Sequence, residues 1–236
     1  MWHEELPPGT SWTSVWSAYI LCGECSGIRP VRGVCPACGS PEYSTEPRMI
    51  QLGDGRRVPV HAAFMGAEGR YEDYVYLRMM EREWKRPITE GEDLIFPDPA
   101  RRPSGKASLV LLFWTYFETR IERLLRGGLR EVPPSLAEDT LQRYSSIGSR
   151  LDRLYRVLFE TSYLADLTEL GYEDIWQHLA RVQERRNAFA HGEPGAIDDA
   201  LVAAVVNNLK REHEAWVAVF NRRACRPAAR RSGSSA

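Results

Sequence analysis

The sequence predicts a mainly α protein in which an antiparallel helical bundle follows a small β-rich module. Four of the five cysteines form two Cys-x-x-Cys pairs near the N-terminus, a pattern typical of a small module built around a metal ion. From Ala107 onward, apolar residues recur with helical period. We therefore divide the chain into four parts: a β-rich module with its hairpin (1–62), a helix and linker (63–106), a helical domain (107–222) and a basic flexible tail (223–236).

The β-rich module is predicted to end in a hairpin over residues 48–60. The turn is Gly53-Asp54-Gly55, and Asp-Gly is a favoured pair in hairpin turns. Pro59, in the return strand, has no amide hydrogen and therefore suits an edge strand.

Between the two predicted domains lie one helix and one linker. Residues 71–85 are predicted to be helical, with Val75, Met79 and Met80 facing the interior. Several prolines in residues 87–106 predict a loop or linker.

The second half is predicted to contain four or five helices joined by short links. Pro134 and Ser135 open one helical region, in which Ser135 and Glu138 have the spacing of a capping box. The other predicted helices cover residues 108–126, 150–163, 172–190 and 198–221. The first half of the 108–126 helix is apolar on all sides, which predicts burial on more than one side.

Composition excludes several classes of protein. The formal net charge is −1 and the hydrophobic content is 43%, so overall charge gives no case for a polyanion-binding protein, and disorder throughout is not expected. The longest mainly apolar run, Ala107 to Phe117, is too short to span a bilayer. The N-terminus lacks the basic start and apolar core of a signal peptide. We expect a soluble cytoplasmic protein with no membrane partner.

The paired cysteines Cys22, Cys25, Cys35 and Cys38 predict a metal site, because two tight turns can direct four thiolates at one tetrahedral ion. Over residues 18–42 the spacing resembles that of the zinc ribbons, which implies a structural Zn²⁺. A rubredoxin-like iron site would use the same ligands. All four positions are cysteines, so none is left open for a catalytic water. Cys225 is interpreted as a spare thiol in the flexible tail.

A second candidate site lies near the end of the 172–190 helix. The apolar stripe of this helix is interrupted at Arg186, and a guanidinium on a core-facing line is costly unless it is paired or lines a wet cleft. His191 follows five residues later, about 140° around an ideal helix. His191 must therefore leave helical geometry if it is to face the same site as Arg186, and the break that begins at Gly192 allows this.

The segment from Arg186 through Asn187 to His191 resembles the Arg-Asn-x-x-x-His motif of the HEPN domains, a helical family that contains many metal-independent ribonucleases. The resemblance covers about residues 107–222. A bare Arg-x-x-x-x-His spacing is common in so arginine-rich a chain, and Asn187 is what makes the match specific.

The resemblance implies a reaction and a role for each residue. His191 would act as general base or acid, Arg186 would hold the phosphate, and Asn187 would orient His191 or the phosphate. RNA would be cleaved to a 2′,3′-cyclic phosphate at a composite site in a homodimer. Glu118 is a further candidate, because its position on the apolar stripe would allow it to pair with Arg186.

The resemblance also implies a toxin or phage-defence effector, with an antitoxin or regulatory protein as a further partner. Some toxin members carry Tyr two residues after the motif histidine, where a partner enzyme modifies it. Glu193 stands at that position here, which removes the basis for that form of regulation.

Two other interpretations stay open. Arg186 and His191 near a helix C-terminus could simply complement the helix dipole. The whole chain could instead be a non-catalytic dimeric module that binds nucleic acid or protein, with the zinc ribbon as a docking element. His178 and His213 are expected to be exposed helix residues without a catalytic role.

Overall fold

The computed structural model describes residues 19–22, 25, 27–30, 33–40, 48–51, 55–60, 71–88, 98 and 101–225. Most of these residues are helical, which confirms the mainly α class. Three segments lie outside the described residues: the N-terminus, where a signal peptide was not expected, most of the predicted linker, and the tail after Cys225.

Two small antiparallel sheets precede the helices. Strand β1 (Tyr19–Leu21) pairs with β2 (Ile28–Pro30), and β3 (Arg48–Gln51) pairs with β4 (Arg57–Val60). The second pair confirms the predicted hairpin, although residues 52–54 of its turn lie outside the described part. Pro59 lies in β4, where a two-stranded sheet offers only edge strands.

Helix α1 (Tyr71–Lys85) has the predicted bounds but buries a different face. Met80 is fully buried as expected, whereas Met79 is 40% exposed and Leu77 takes its place in the core. Neighbouring residues in a helix are about 100° apart, so Met79 and Met80 cannot share one face, whereas Leu77 and Met80 can. Through these residues α1 packs against the next helix.

Helix α2 (Ala107–Gly128) lies at the centre of the helical core and contacts α1 as well as three later helices. Most of its apolar side chains are buried, as the all-round apolar pattern predicted, and Leu111 is 36% exposed. The helix continues through both glycines at its end. A Cβ at Gly127 would lie 2.6 Å from the Cβ of Ala224, so this position has to be small for the helices to approach.

Helix α3 (Pro134–Arg143) begins without the predicted capping box. Pro133 is the cap residue and Pro134 the first helical residue, because proline has the backbone angle that a helix start needs and lacks only an amide that would be unpaired there. Glu138 instead binds the guanidinium of Arg126, at 2.9 Å.

The predicted 150–163 helix is two shorter elements. Helix α4 comprises a first turn (Ile147–Ser149), a π-helical segment (Arg150–Leu154) and a last turn (Tyr155–Phe159). It ends at Glu160, whose φ of 55° is left-handed and stops the helix. Helix α5 (Tyr163–Glu169) starts again behind Ser162, whose hydroxyl accepts the Ala165 amide.

Helices α6 (Glu173–Ala190) and α7 (Asp199–Arg223) complete the fold close to their predicted bounds. A single 3₁₀ turn (Pro194–Ala196) joins them, and the carboxylate of Asp198 caps α7 by accepting the Leu201 amide at 2.8 Å. Both α6 and α7 contact α2. Arg223, assigned to the flexible tail by the sequence, is the last residue of α7.

The described helices include none that is both long enough and apolar enough to cross a membrane.

A buried polar cluster joins α2 to α7. Arg120 is fully buried, forms an ion pair with Glu212 at 2.5 Å and lies over the rings of Tyr116 and Trp216. His213 next to it is 1% exposed and His178 is half-buried, so the expectation that both histidines are exposed was wrong. Helix α7 is covered by several elements, and its position near the centre places a polar residue inside the core.

Acid is expected to destabilise the fold through two histidines. Burial lowers the pKa of His178 to about 4, and burial together with the charge of Arg120 lowers the pKa of His213 well below its ordinary value. The unfolded chain binds these protons near pH 6.5, so their penalty is absent above that pH and grows as the pH falls toward 4. At pH 5 the lowered pKa of His178 should reduce the free energy of unfolding by about 2 kcal/mol, and His213 should reduce it further in the same direction.

Urea unfolding at pH 7 and pH 5 measures this loss. His178→Gln should reduce the difference between the two values, whereas Gln177→Ala, which changes an exposed uncharged side chain next to it, should retain it. Equal stability of the parent at both pH values would contradict the prediction.

Candidate functional site

The four paired cysteines converge on one point. Their sulfur atoms all lie within 4.8 Å of one another, and the Cys22–Cys38 and Cys25–Cys35 Sγ atoms are each 3.7 Å apart. None of the four is in a disulfide. This confirms the predicted grouping of Cys22, Cys25, Cys35 and Cys38 as a possible metal site.

Backbone hydrogen bonds shape the two turns that carry these thiols. In the first turn, the Cys22 amide donates to the Gly27 carbonyl at 2.8 Å, and the Gly27 amide donates to Cys25 Sγ at 3.4 Å. In the second, the Gly39 amide donates to the Cys35 carbonyl at 2.8 Å. Gly39 has a φ of 73°, a conformation that favours glycine. An amide that donates to a sulfur stabilises the thiolate form that a metal needs.

The donor set fits a tetrahedral metal ion. A Zn–S bond of about 2.3 Å implies tetrahedral edges of ~3.8 Å, close to the 3.7 Å that separates the sulfurs of the Cys22–Cys38 and Cys25–Cys35 pairs. Without a metal, burial raises the pKa of Cys25 to about 12, so the thiol stays protonated until a cation stabilises the thiolate. Four thiolates complete a tetrahedron, which is the arrangement of a structural site.

Cys225 was wrongly interpreted as a spare thiol in the tail. Its Sγ lies 3.5 Å from that of Cys25, directly beside the four-cysteine cluster. Neither spacing nor local pattern connects the two residues in the sequence. The only available signal was that a fifth cysteine existed.

The predicted catalytic residues lie together at the C-terminal end of α6. Arg186 and Asn187 are half-buried, and the Arg186 Nη1 donates to the Asn187 Oδ1 at 2.9 Å. His191 is exposed. Within the described part of the chain, no hydrogen bond or ion pair holds its imidazole, so the ring is accessible to a ligand.

The backbone leaves helical geometry at His191, which is the condition that the sequence sets for His191 to face the same site as Arg186. Its φ and ψ are −94° and 12°, and Gly192 follows with a φ of 98°. The His191 amide still bonds the carbonyls of Asn187 and Ala188, at 3.0 and 3.1 Å. The backbone of His191 is therefore hydrogen-bonded to the helix end, but its imidazole can point in a direction that a helical residue could not reach.

Arg185, next to the motif, fixes the loop that follows it. Its Nε donates to the Ala196 carbonyl at 2.5 Å, and its Nη2 donates to Asp198 at 2.7 Å. A cavity of about 440 Å³ lies on this side of the helix. Its lining includes Glu184, Arg185 and Ala188 but neither Arg186 nor His191. Within one chain, the motif residues thus line a surface and not this cavity.

Glu118 has a different partner from the one predicted. Its carboxylate accepts the Trp114 indole N–H at 2.7 Å. Among the ion pairs of the described residues, none joins Glu118 to Arg186. Although α2 and α6 pack together, no hydrogen bond among the described residues joins Glu118 to Arg186, Asn187 or His191.

The chain matches no protein-family model, no curated protein and no solved structure. Its function must therefore follow from its own residues and their geometry.

One tightly held metal ion per chain is expected at the cysteine cluster. Elemental analysis of purified protein should find it, and Cys35→Ser should lower the content because a tetrahedral ion loses one of four ligands. The same change should lower the melting temperature, since the free energy of metal binding contributes to folding. A fully folded parent that carries no metal would rule out the site.

Proposed function

We propose that this protein is an endoribonuclease that cleaves RNA with Arg186, Asn187 and His191, and that the cysteine cluster is a structural zinc ribbon. The observation that carries the proposal is the arrangement at the end of α6. There an arginine oriented by an asparagine lies close in sequence to an exposed histidine that has left the helix. These are the groups that metal-independent phosphoryl transfer needs.

The reaction assigns one role to each side chain. His191 as base takes the proton of the ribose 2′-hydroxyl while the 2′-oxygen forms a bond to phosphorus. The bond from phosphorus to the 5′-oxygen breaks, and that oxygen receives a proton from a histidine acting as acid. Arg186 donates to the phosphate oxygens as their negative charge increases, and Asn187 holds its guanidinium in place. The products are a 2′,3′-cyclic phosphate and a 5′-hydroxyl.

Two copies of the chain supply what one copy lacks. The motif presents a single imidazole, whereas the reaction uses a base and an acid. A two-fold axis beside the end of α6 would place a second His191 and a second Arg186 opposite the first. It would also turn the open surface around these residues into a cleft between protomers.

We assign a structural role to the rest of the chain. Helices α2 to α7 form a HEPN-like bundle that presents the motif, and the two sheets with the cysteine turns form the ribbon. Zn²⁺ is the ion we propose for the four thiolates. Cysteines alone would fill its coordination sphere, so the ion would take no part in cleavage.

A second candidate function is a dimeric nucleic-acid- or protein-binding module without catalysis. The observation in its favour is that the cavity beside α6 excludes Arg186 and His191. In that case the half-buried Arg186 would serve the helix end and His191 would be an ordinary surface residue.

RNA cleavage by the motif is the decisive prediction. His191→Ala and Arg186→Ala should each reduce the rate by about 10²-fold or more, because each removes a group that acts on the transition state. The assay follows a labelled RNA in EDTA, with end-group analysis for the cyclic phosphate. Melting curves recorded in parallel show whether EDTA has removed the structural metal.

Arg181→Ala is the matched control, since Arg181 is an exposed arginine of the same helix outside the motif. It should cleave as the parent does. If the folded parent cleaves no RNA but retains it in a binding assay, the binding-module function replaces the enzyme.

The chain should be a dimer at micromolar concentration. Light scattering should give about twice the 26.9 kDa of one chain. If one site takes its arginine and histidine from different protomers, mixed Arg186→Ala and His191→Ala chains should recover activity that neither has alone. A monomeric mass for the active protein would contradict the composite site.

A further inference from the structure

The junction between the cysteine cluster and α7 is built from unusually specific contacts. The Asn221 side chain pairs with both backbone groups of Ile28: its Oδ1 accepts the amide at 2.5 Å and its Nδ2 donates to the carbonyl at 2.6 Å. Ile28 is fully buried and belongs to the core of the helices. A side-chain amide that satisfies both groups of one buried residue holds the strand in a single position.

Gly27 brings the cysteine turn against the helix end. A Cβ at this position would lie 2.3 Å from the Cys225 Sγ and 3.0 Å from the Asn221 Oδ1. A real Cβ does not approach another atom so closely, so only glycine permits this contact. The turn that carries Cys25 and the end of α7 are therefore in direct contact.

Cys25 accepts from both sides of this junction. Its sulfur receives the Gly27 amide at 3.4 Å and the thiol of Cys225 at 3.5 Å. Donors of this kind orient a metal ligand and stabilise its charged form, and their loss typically costs about 10- to 100-fold in metal affinity. The first donor belongs to the ribbon itself, whereas the second comes from the far end of the chain.

We propose that Cys225 and Asn221 are positioning residues of the metal site, so that metal binding and the docking of the last turn of α7 stabilise each other. The inference rests on the proposed metal ion at the four cysteines. Cys225 donates to the thiolate of Cys25, and Asn221 holds the strand that follows the first cysteine turn. Because such coupling is reciprocal, zinc must order the helix end as much as the helix end strengthens zinc binding.

Competition with a chromophoric zinc chelator measures the first half of the coupling. Cys225→Ala and Asn221→Ala should each weaken zinc binding by about 10- to 100-fold. Cys225→Ser should stay within a few-fold of the parent, because its hydroxyl still donates. Asn207→Ala, which changes an exposed asparagine on the same helix, should bind zinc as the parent does.

A double substitution separates the local contact from general damage. Gly27→Ala should weaken zinc binding, since its Cβ meets the Cys225 sulfur. In combination with Cys225→Ala the sulfur is gone and the tight contact of the new Cβ with the Asn221 Oδ1, at 3.0 Å, remains, so the double variant should lose less affinity than the two single losses multiplied together.

Hydrogen exchange on the parent protein tests the other direction of the coupling, the effect of zinc on the end of α7, without any substitution. Zinc should slow exchange in the last turn of α7, around residues 219–225, relative to the metal-free chain. Unchanged exchange there, or equal zinc affinity of the parent, Cys225→Ala and Asn221→Ala, overturns the coupling alone. A parent that binds no zinc overturns the metal assignment and this inference with it.

Discussion

The arrangement of the C-terminal helices depends on one interaction, the ion pair between the buried carboxylate of Asp166 and the guanidinium of Arg223. The carboxylate is fully buried and accepts two bonds from Arg223, at 2.7 and 2.5 Å, and one from the hydroxyl of Tyr155. Burial raises the pKa of Tyr155 above its usual range, so the hydroxyl remains a donor. A buried charge is tolerated only with such pairing, and breaking a pair of this kind typically costs about 3–5 kcal/mol. Because Arg223 ends α7, the carboxylate also holds the turn that presents Asn221 and Cys225 to the cysteine cluster.

Helix α7 thereby relates the two candidate sites to each other. At its start, Asp198 caps the helix and binds Arg185, which fixes the loop after His191. At its end, Asn221 binds the backbone of Ile28 in strand β2. The 25 residues between Asp199 and Arg223 form one continuous helix, about 37 Å long, with a largely buried face. The motif and the cysteine cluster are therefore held near opposite ends of one rigid element.

Sequence patterns succeeded where a property is local and failed where it depends on packing. The hairpin, the bounds of α1 and the convergence of Cys22, Cys25, Cys35 and Cys38 follow from turn chemistry and short spacing. The exposure of Met79 and the burial of His213 depend on which neighbours cover each face. Ser135 has the spacing of a cap, but the two prolines before it determine where the helix starts.

The sequence by itself determined the class of fold, the grouping of the four cysteines and the position of Arg186, Asn187 and His191 at a helix end. Each of these depends on residues that are close along the chain, whose geometry the backbone restricts directly. Only the tertiary structure decided that Glu118 binds an indole instead of Arg186, and that Cys225 lies beside Cys25. Those contacts join residues whose meeting depends on how whole helices pack, because a side chain's spacing in sequence does not specify which distant group will face it.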